Sequence, residues 1–129
     1  MATWTEVKNF LKSGLNAQEV SNGNGVSADI KYTDGRSQFV NVMRQEYKGA
    51  EWIDIFSGIG KLNAANLNTA LEAALEATCG GIVKIGDNYA VRHCIPIADL
   101  SNDEIIGPMT IVASVADSLE EKLVGGDNF

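Results

Sequence analysis

One histidine, two cysteines and a shortage of basic residues mark what this 129-residue sequence has least of. Each scarcity closes a class of function. A lone imidazole, His93, cannot form a two-histidine metal site, and neither cysteine has a partner at CxxC spacing. Two cysteines are too few for a disulfide-built secreted domain. Cys79 and Cys94 are therefore expected to be reduced thiols that pack as small hydrophobes. No apolar run approaches the roughly 20 residues of a membrane span. The opening Met-Ala-Thr-Trp-Thr-Glu has no basic stretch leading into an apolar one, so no secretory signal is expected and the expected address is the cytoplasm. Ten Lys/Arg stand against seventeen Asp/Glu, a formal charge of −7 that disfavours nucleic-acid partners.

What is present suits a single folded domain. Apolar residues make up 45% and charged residues 21%, ordinary for a globular chain. A chain of this size buries roughly two-thirds of its unfolded surface, enough for a core without metal or disulfide staples. The negative charge is unevenly placed. Residues 1–98 carry a net −1, whereas 99–129 carry −6, with Asp99, Asp103, Glu104, Asp117, Glu120, Glu121 and Asp127 against Lys122 alone. Asp117, Glu120 and Glu121 are expected to form a charged face of the last helix. Such a face either steers a basic partner segment or simply keeps the protein solvated.

Hydrophobic spacing orders the elements. Thr3 followed by Glu6 is a capping box, and Trp4, Val7, Phe10, Leu11 and Leu15 then share one side of a helix that Gly14 is placed to end. Ser-Asn-Gly-Asn-Gly at 21–25 reads as a flexible turn, since it lacks the Gly-Lys-Ser/Thr ending of a phosphate loop. Val26, Ala28, Ile30 and Tyr32 alternate with polar residues as a half-buried strand, and Asp34-Gly35 supplies a hairpin turn. The return strand runs to about Gln45, and Lys48-Gly49 turns the chain into Glu51–Ser57. Asn66 caps a second helix, with Leu67, Ala70, Leu71, Ala74 and Leu75 on one face and Gly80-Gly81 as the stop. Strands Ile82–Ile85 and Tyr89–Ile97 follow, the latter ending or lying at an edge near Pro96. Ser101 and Glu104 form a second capping box for a last helix interrupted at Gly107-Pro108. Gly125-Gly126 ends it and leaves a loose tail. The expected fold is α+β, an antiparallel sheet of about five strands with three helices in the order α-β-β-β-α-β-β-α.

Chemistry is hard to find. His93 lies between Val91 and Ile95 on a core-facing strand phase, and Cys94 beside it must point to the opposite face. The acids show no paired-carboxylate pattern. The glycines of residues 80–86 lead from a helix into a strand, the reverse of a dinucleotide site, and Asn22-Gly23-Asn24-Gly25 lacks calcium-binding acids. No catalytic residue, no cofactor and no metal ligand set is expected. One feature does ask for company. Ile53 and Ile55 should face the core, which sends Trp52 and Phe56 outward, and Phe39 and Met43 are off-phase with Val40 and Val42. Where these residues meet, the outer sheet face carries an aromatic-plus-methionine patch suited to an adaptable interface.

The element order, together with VRHCIPIADLSNDEIIGPMTIVASVADSLEEKL, resembles the YbjN-type domains and the bacterial type III secretion chaperones of the Tir-chaperone class. In those proteins an Arg-and-Pro strand end, here Arg92 to Pro96, leads into a long final helix with an Ala-Asp-x-Leu-Glu signature, here Ala116 to Glu120. The resemblance implies a small, acidic, non-enzymatic protein of the bacterial cytosol that binds a protein or peptide client. It also implies a homodimer, as many secretion chaperones are. A small-molecule-sensing domain and a self-associating scaffold are the competing expectations.

Overall fold

The computed structural model describes residues 1–129 and shows an α+β fold. Six antiparallel strands form one sheet in the order β1-β2-β3-β4-β6-β5. The strands are β1 (Gln18–Val20), β2 (Gly25–Lys31), β3 (Ser37–Tyr47), β4 (Ala50–Gly60), β5 (Gly81–Ile85) and β6 (Asn88–Pro96). The helices are α1 (Trp4–Leu15), α2 (Ala64–Glu76) and α3 (Asn102–Leu119), the last running into a π-type turn over Glu120–Val124. No helix is long and apolar enough to cross a membrane.

Helix α1 begins where expected: the Thr3 hydroxyl accepts from the Glu6 N–H at 3.3 Å. The Glu6 carboxylate reaches the Ala2 N–H rather than that of Thr3, so the box closes one residue early. Gly14 does not end the helix. Asn16 does, at φ +52, a left-handed position that asparagine tolerates. Trp4, Val7 and Leu11 are buried on one stripe, and the Trp4 indole donates to the Gly23 carbonyl at 2.8 Å. Burying each of those aliphatic side chains contributes roughly 1.5–3 kcal/mol relative to exposure.

The β2–β3 hairpin turns at Asp34-Gly35 in a three-residue loop, Thr33–Gly35. The Tyr32 N–H closes it onto Arg36 O at 2.8 Å, with Gly35 at φ +88. Lys48 and Gly49, both at positive φ, make the two-residue β3–β4 turn. Short β1 is absent from the sequence expectation because three residues carry too little periodicity to be read. Asn63, not Asn66, caps α2: its side chain accepts from the Asn66 N–H at 2.8 Å. That helix stops at Glu76, four residues before Gly80.

Strand β6 ends at Pro96 but lies inside the sheet, between β4 and β5. The Ser101–Glu104 box closes in both directions, at 3.1 and 3.3 Å. Helix α3 is continuous through Pro108, with no separate first turn. A proline at its second turn deletes one donor without breaking the flanking bonds.

All three helices lie on one side of the sheet. Between them and the strands sits the core, with Val40, Val42, Ile53, Ile55 and Val91 from the sheet against Val7, Leu11, Ile105, Met109, Val112 and Ala116 from α1 and α3. Ile53 and Ile55 face inward as the alternation required, so the side chains between them face the other way.

Candidate functional site

The uncovered side of the sheet is set by register. Met43 pairs with Asp54, Gln45 with Trp52 and Asn41 with Phe56 across β3 and β4. Asp54 pairs with Cys94, and Phe56 with Arg92, across β4 and β6. All of these side chains share the face opposite the helices. Met43, Trp52 and Phe56 are half-buried there, each resting partly on its neighbours. Phe39 falls outside the group, paired with Asp29 and 49% exposed. Tyr47, which the sequence did not single out, lies on the same face at 63% exposure.

The apolar surface is interrupted at its centre. Trp52 and Phe56 are four residues apart on one strand, about 13 Å, and Asp54 stands between them. Its carboxylate accepts from Arg92 Nε at 2.9 Å and is nearly buried. The Asp54 bond holds the Arg92 guanidinium above its ordinary pKa. A hollow of about 350 Å³ opens on one side of this pair, lined by Met43, Phe56, Val83 and Ile85 with Asp54 and Arg92. On the other side a hollow of about 390 Å³ is lined by Gln45, Tyr47, Trp52 and Cys94 among others.

Cys94 is exposed on this face, so it is not the buried hydrophobe expected of it; Cys79 is half-buried in the α2–β5 connection, and both are free thiols. Partial burial pushes the Cys94 thiol up, and the Asp54 carboxylate adds to the effect. A thiol held protonated is a poor nucleophile. His93 sits opposite Ile55 on the helix-covered side, so it cannot meet Cys94.

The acidic trio behaves differently from expectation. Asp117 and Glu120 do not form an open face. They are buried, and Arg36 from the β2–β3 turn lies among them, 3.0 Å from Asp117, 3.5 Å from Glu120, 3.4 Å from Glu121 and 3.8 Å from Asp127. Only Glu121 keeps substantial exposure. One guanidinium offsets only part of the charge of these four acids, and Glu121 carries the most exposed of it.

Nor is the segment after Gly125-Gly126 loose. Arg36 Nη1 donates to Gly126 O at 2.7 Å, the Ser37 N–H donates to Asp127 Oδ2 at 3.0 Å, and the Asn128 N–H donates to Glu120 Oε2 at 2.8 Å. These bonds carry the chain from the helix side round the end of β3 to the open face, where Phe129 lies against Gly58. Sequence reasoning missed Arg36, Gly58 and Phe129. The one available signal was an aromatic residue closing a polar Gly-Gly-Asp-Asn stretch. No family model matches the chain, and no curated protein does.

Proposed function

We propose that the chain is a non-catalytic, chaperone-like adaptor of the cytosol, and that an extended segment of a client polypeptide lies across the open sheet face. The observation that carries this reading is the one-sided cover. Three helices seal one face, while the other keeps Met43, Trp52 and Phe56 only partly buried and Tyr47 and Phe39 exposed. These apolar side chains stand on both sides of the Asp54–Arg92 pair, an apolar surface with a polar centre of the kind that interfaces use. The two hollows flanking Asp54–Arg92 could each take a side chain of an extended segment. Met43 supplies an adaptable surface. The resemblance to YbjN-type domains and type III secretion chaperones points the same way, and in the homodimeric form a second copy would use part of this surface.

A photo-crosslinking residue placed at position 56, and separately at exposed position 72 on α2, tests the reading in cells that express the protein. A discrete polypeptide adduct is expected from position 56 and not from 72, and Trp52→Ala combined with Met43→Ala should abolish it. Equal labelling from both positions, or none from 56, would sink the proposal. Adducts that are only a second copy of the chain would assign the face to self-association.

A further inference from the structure

At one end of the open face the sheet is built to admit a chain segment. The β3–β4 ladder stops at Asn41–Phe56. Beyond it side chains replace backbone pairing: Gln38 Nε2 donates to Gly58 O at 2.7 Å and to Ser57 Oγ at 2.8 Å, and Ser57 Oγ donates to Phe39 O. Gln38 and Ser57 are both fully buried, so this is a fixed wedge between the strands. Past the wedge Ser37 has no partner on β4, and its N–H instead donates to Asp127 Oδ2. Gly58 leaves a flat seat, and the Phe129 ring fills it so closely that a Cβ at Gly58 would stand 2.4 Å from Cδ1. Gly60 lies behind the same ring, with Phe129 Cε2 at 3.4 Å from its Cβ position. An adjoining hollow of about 220 Å³, lined by Asn41, Phe56, Ile85 and Tyr89 with Phe129, continues the apolar surface.

We propose that this end of the face is a recognition site for a polypeptide segment of the pattern acid–x–aromatic, and that residues 126–129 are its resident occupant. The acid is read by the Ser37 N–H and the Arg36 guanidinium. The preceding carbonyl is read by Arg36 Nη1, and the aromatic by the glycine seat. Gly125 and Gly126, at φ +80 and +82, are the hinge on which the occupant leaves. A tethered occupant acts at an effective concentration on the order of millimolar. A client segment of the same pattern therefore displaces it only when further contacts, such as those at Phe56 and Trp52, raise its affinity. This rests on the adaptor reading for the client, but the site itself can be tested apart from it.

The probe is the amidated peptide Gly-Gly-Asp-Asn-Phe, titrated into the Asp127→Ala/Phe129→Ala variant of the 129-residue chain and followed by amide chemical shifts. Saturable shifts are expected at Ser37, Gly58 and Gly60, at least about tenfold weaker in the intact chain because the resident segment competes. Peptides with Asn for Asp or Ala for Phe should bind at least about tenfold more weakly, the scale of losing a charge-assisted bond or a buried ring. Adding Gly58→Ala to the variant should abolish binding without unfolding it, since the new methyl points to the open face. The proposal is overturned if no saturable shift occurs, if intact and variant chains bind equally, or if Gly58→Ala has no effect. Should the peptide fail while the position-56 adduct persists, only this site falls. Should the peptide bind while no adduct forms, the site stands and the adaptor reading falls.

Discussion

The ring of Phe129 occupies the place a side chain on Gly58 would take: a Cβ there would lie 2.4 Å from Cδ1 and 2.9 Å from Cγ. Gly58 itself has no left-handed φ, so its lack of a side chain serves the contact and not the backbone. In the intact chain Gly58→Ala should therefore eject Phe129 and leave the sheet folded. Hydrogen exchange should show the amides of Ser37 and Asn128 losing protection by about tenfold or more, with the amides of β4 and β6 unchanged. Loss of protection throughout the sheet would show that Phe129 is part of the core.

Arg36 is the only base among Asp117, Glu120 and Asp127, whose carboxylate oxygens lie within 4.8 Å of one another. Arg36→Ala strips the counter-charge from a buried carboxylate and from the Gly126 carbonyl. The melting temperature should fall more than in any single substitution on the open face, and Asn128 should exchange faster. Arg36→Lys should recover only part of the loss, because an ammonium cannot span the carboxylates and the carbonyl together.

Glu120 gives the chain a titratable element with a defined sign. Burial raises its pKa, against the lowering influence of the Asn128 N–H and Arg36, while Asp127 and Asp117 also raise it. A raised folded pKa means that its stabilising contribution is present in full below the ordinary carboxyl value and is lost as pH rises through the folded value. Glu120→Gln should mimic the protonated form. The melting-temperature difference, variant minus wild type, should then be larger near pH 7 than near pH 4. Glu19, lowered by Lys8 and Lys12, and Glu104, lowered by the Ser101 hydroxyl, act in the opposite sense and lose their contribution as pH falls. Both are unchanged in the variant, so they cancel from the difference.

The two faces of β3 and β4 should respond unequally to truncation. Ile55 is fully buried against the helices, and Ile55→Ala should cost about 2–5 kcal/mol by denaturant unfolding. Phe39→Ala on the open face should stay within about 0.5 kcal/mol. A large cost at Phe39 would mean that something already covers that face.

Trp4 and Trp52 report opposite sides of the sheet. Trp4→Phe removes a buried indole and its bond to Gly23 O, so it should cost about 1–2 kcal/mol. Trp52 is then the sole tryptophan. Its emission should be red-shifted relative to the wild type and should move to shorter wavelength when a partner covers the face.

Much of the architecture was legible because it is written in local rules. Period-two alternation placed β2 and put Trp52 and Phe56 opposite Ile53 and Ile55. The Ser101–Glu104 box marked the start of α3 to the residue. Errors arose where two residues compete for one role. Gly14 and Asn16 both suit a helix end, and Asn63 and Asn66 both suit a cap. Three-dimensional packing chose between them. Leu71 and Leu75, expected on one helix face with Ala70, are 50% and 87% exposed, whereas Ala70 is fully buried. Periodicity shows which residues share a face, but not how closely that face is approached.

By itself the sequence determined the composition of two sheet faces, one aliphatic and one mixed, because side chains on a strand must alternate whatever the surroundings. Only the tertiary structure decided what each face and each charge would meet. Register placed Asp54 and Arg92 together at the centre of the open face. Chain reversal brought Arg36 into the acids of the last helix, so that Asp117 and Glu120, expected on a solvent-facing surface, are buried around a guanidinium. The same reversal laid Phe129 on Gly58. Such contacts join residues far apart in the chain, and no local spacing encodes them.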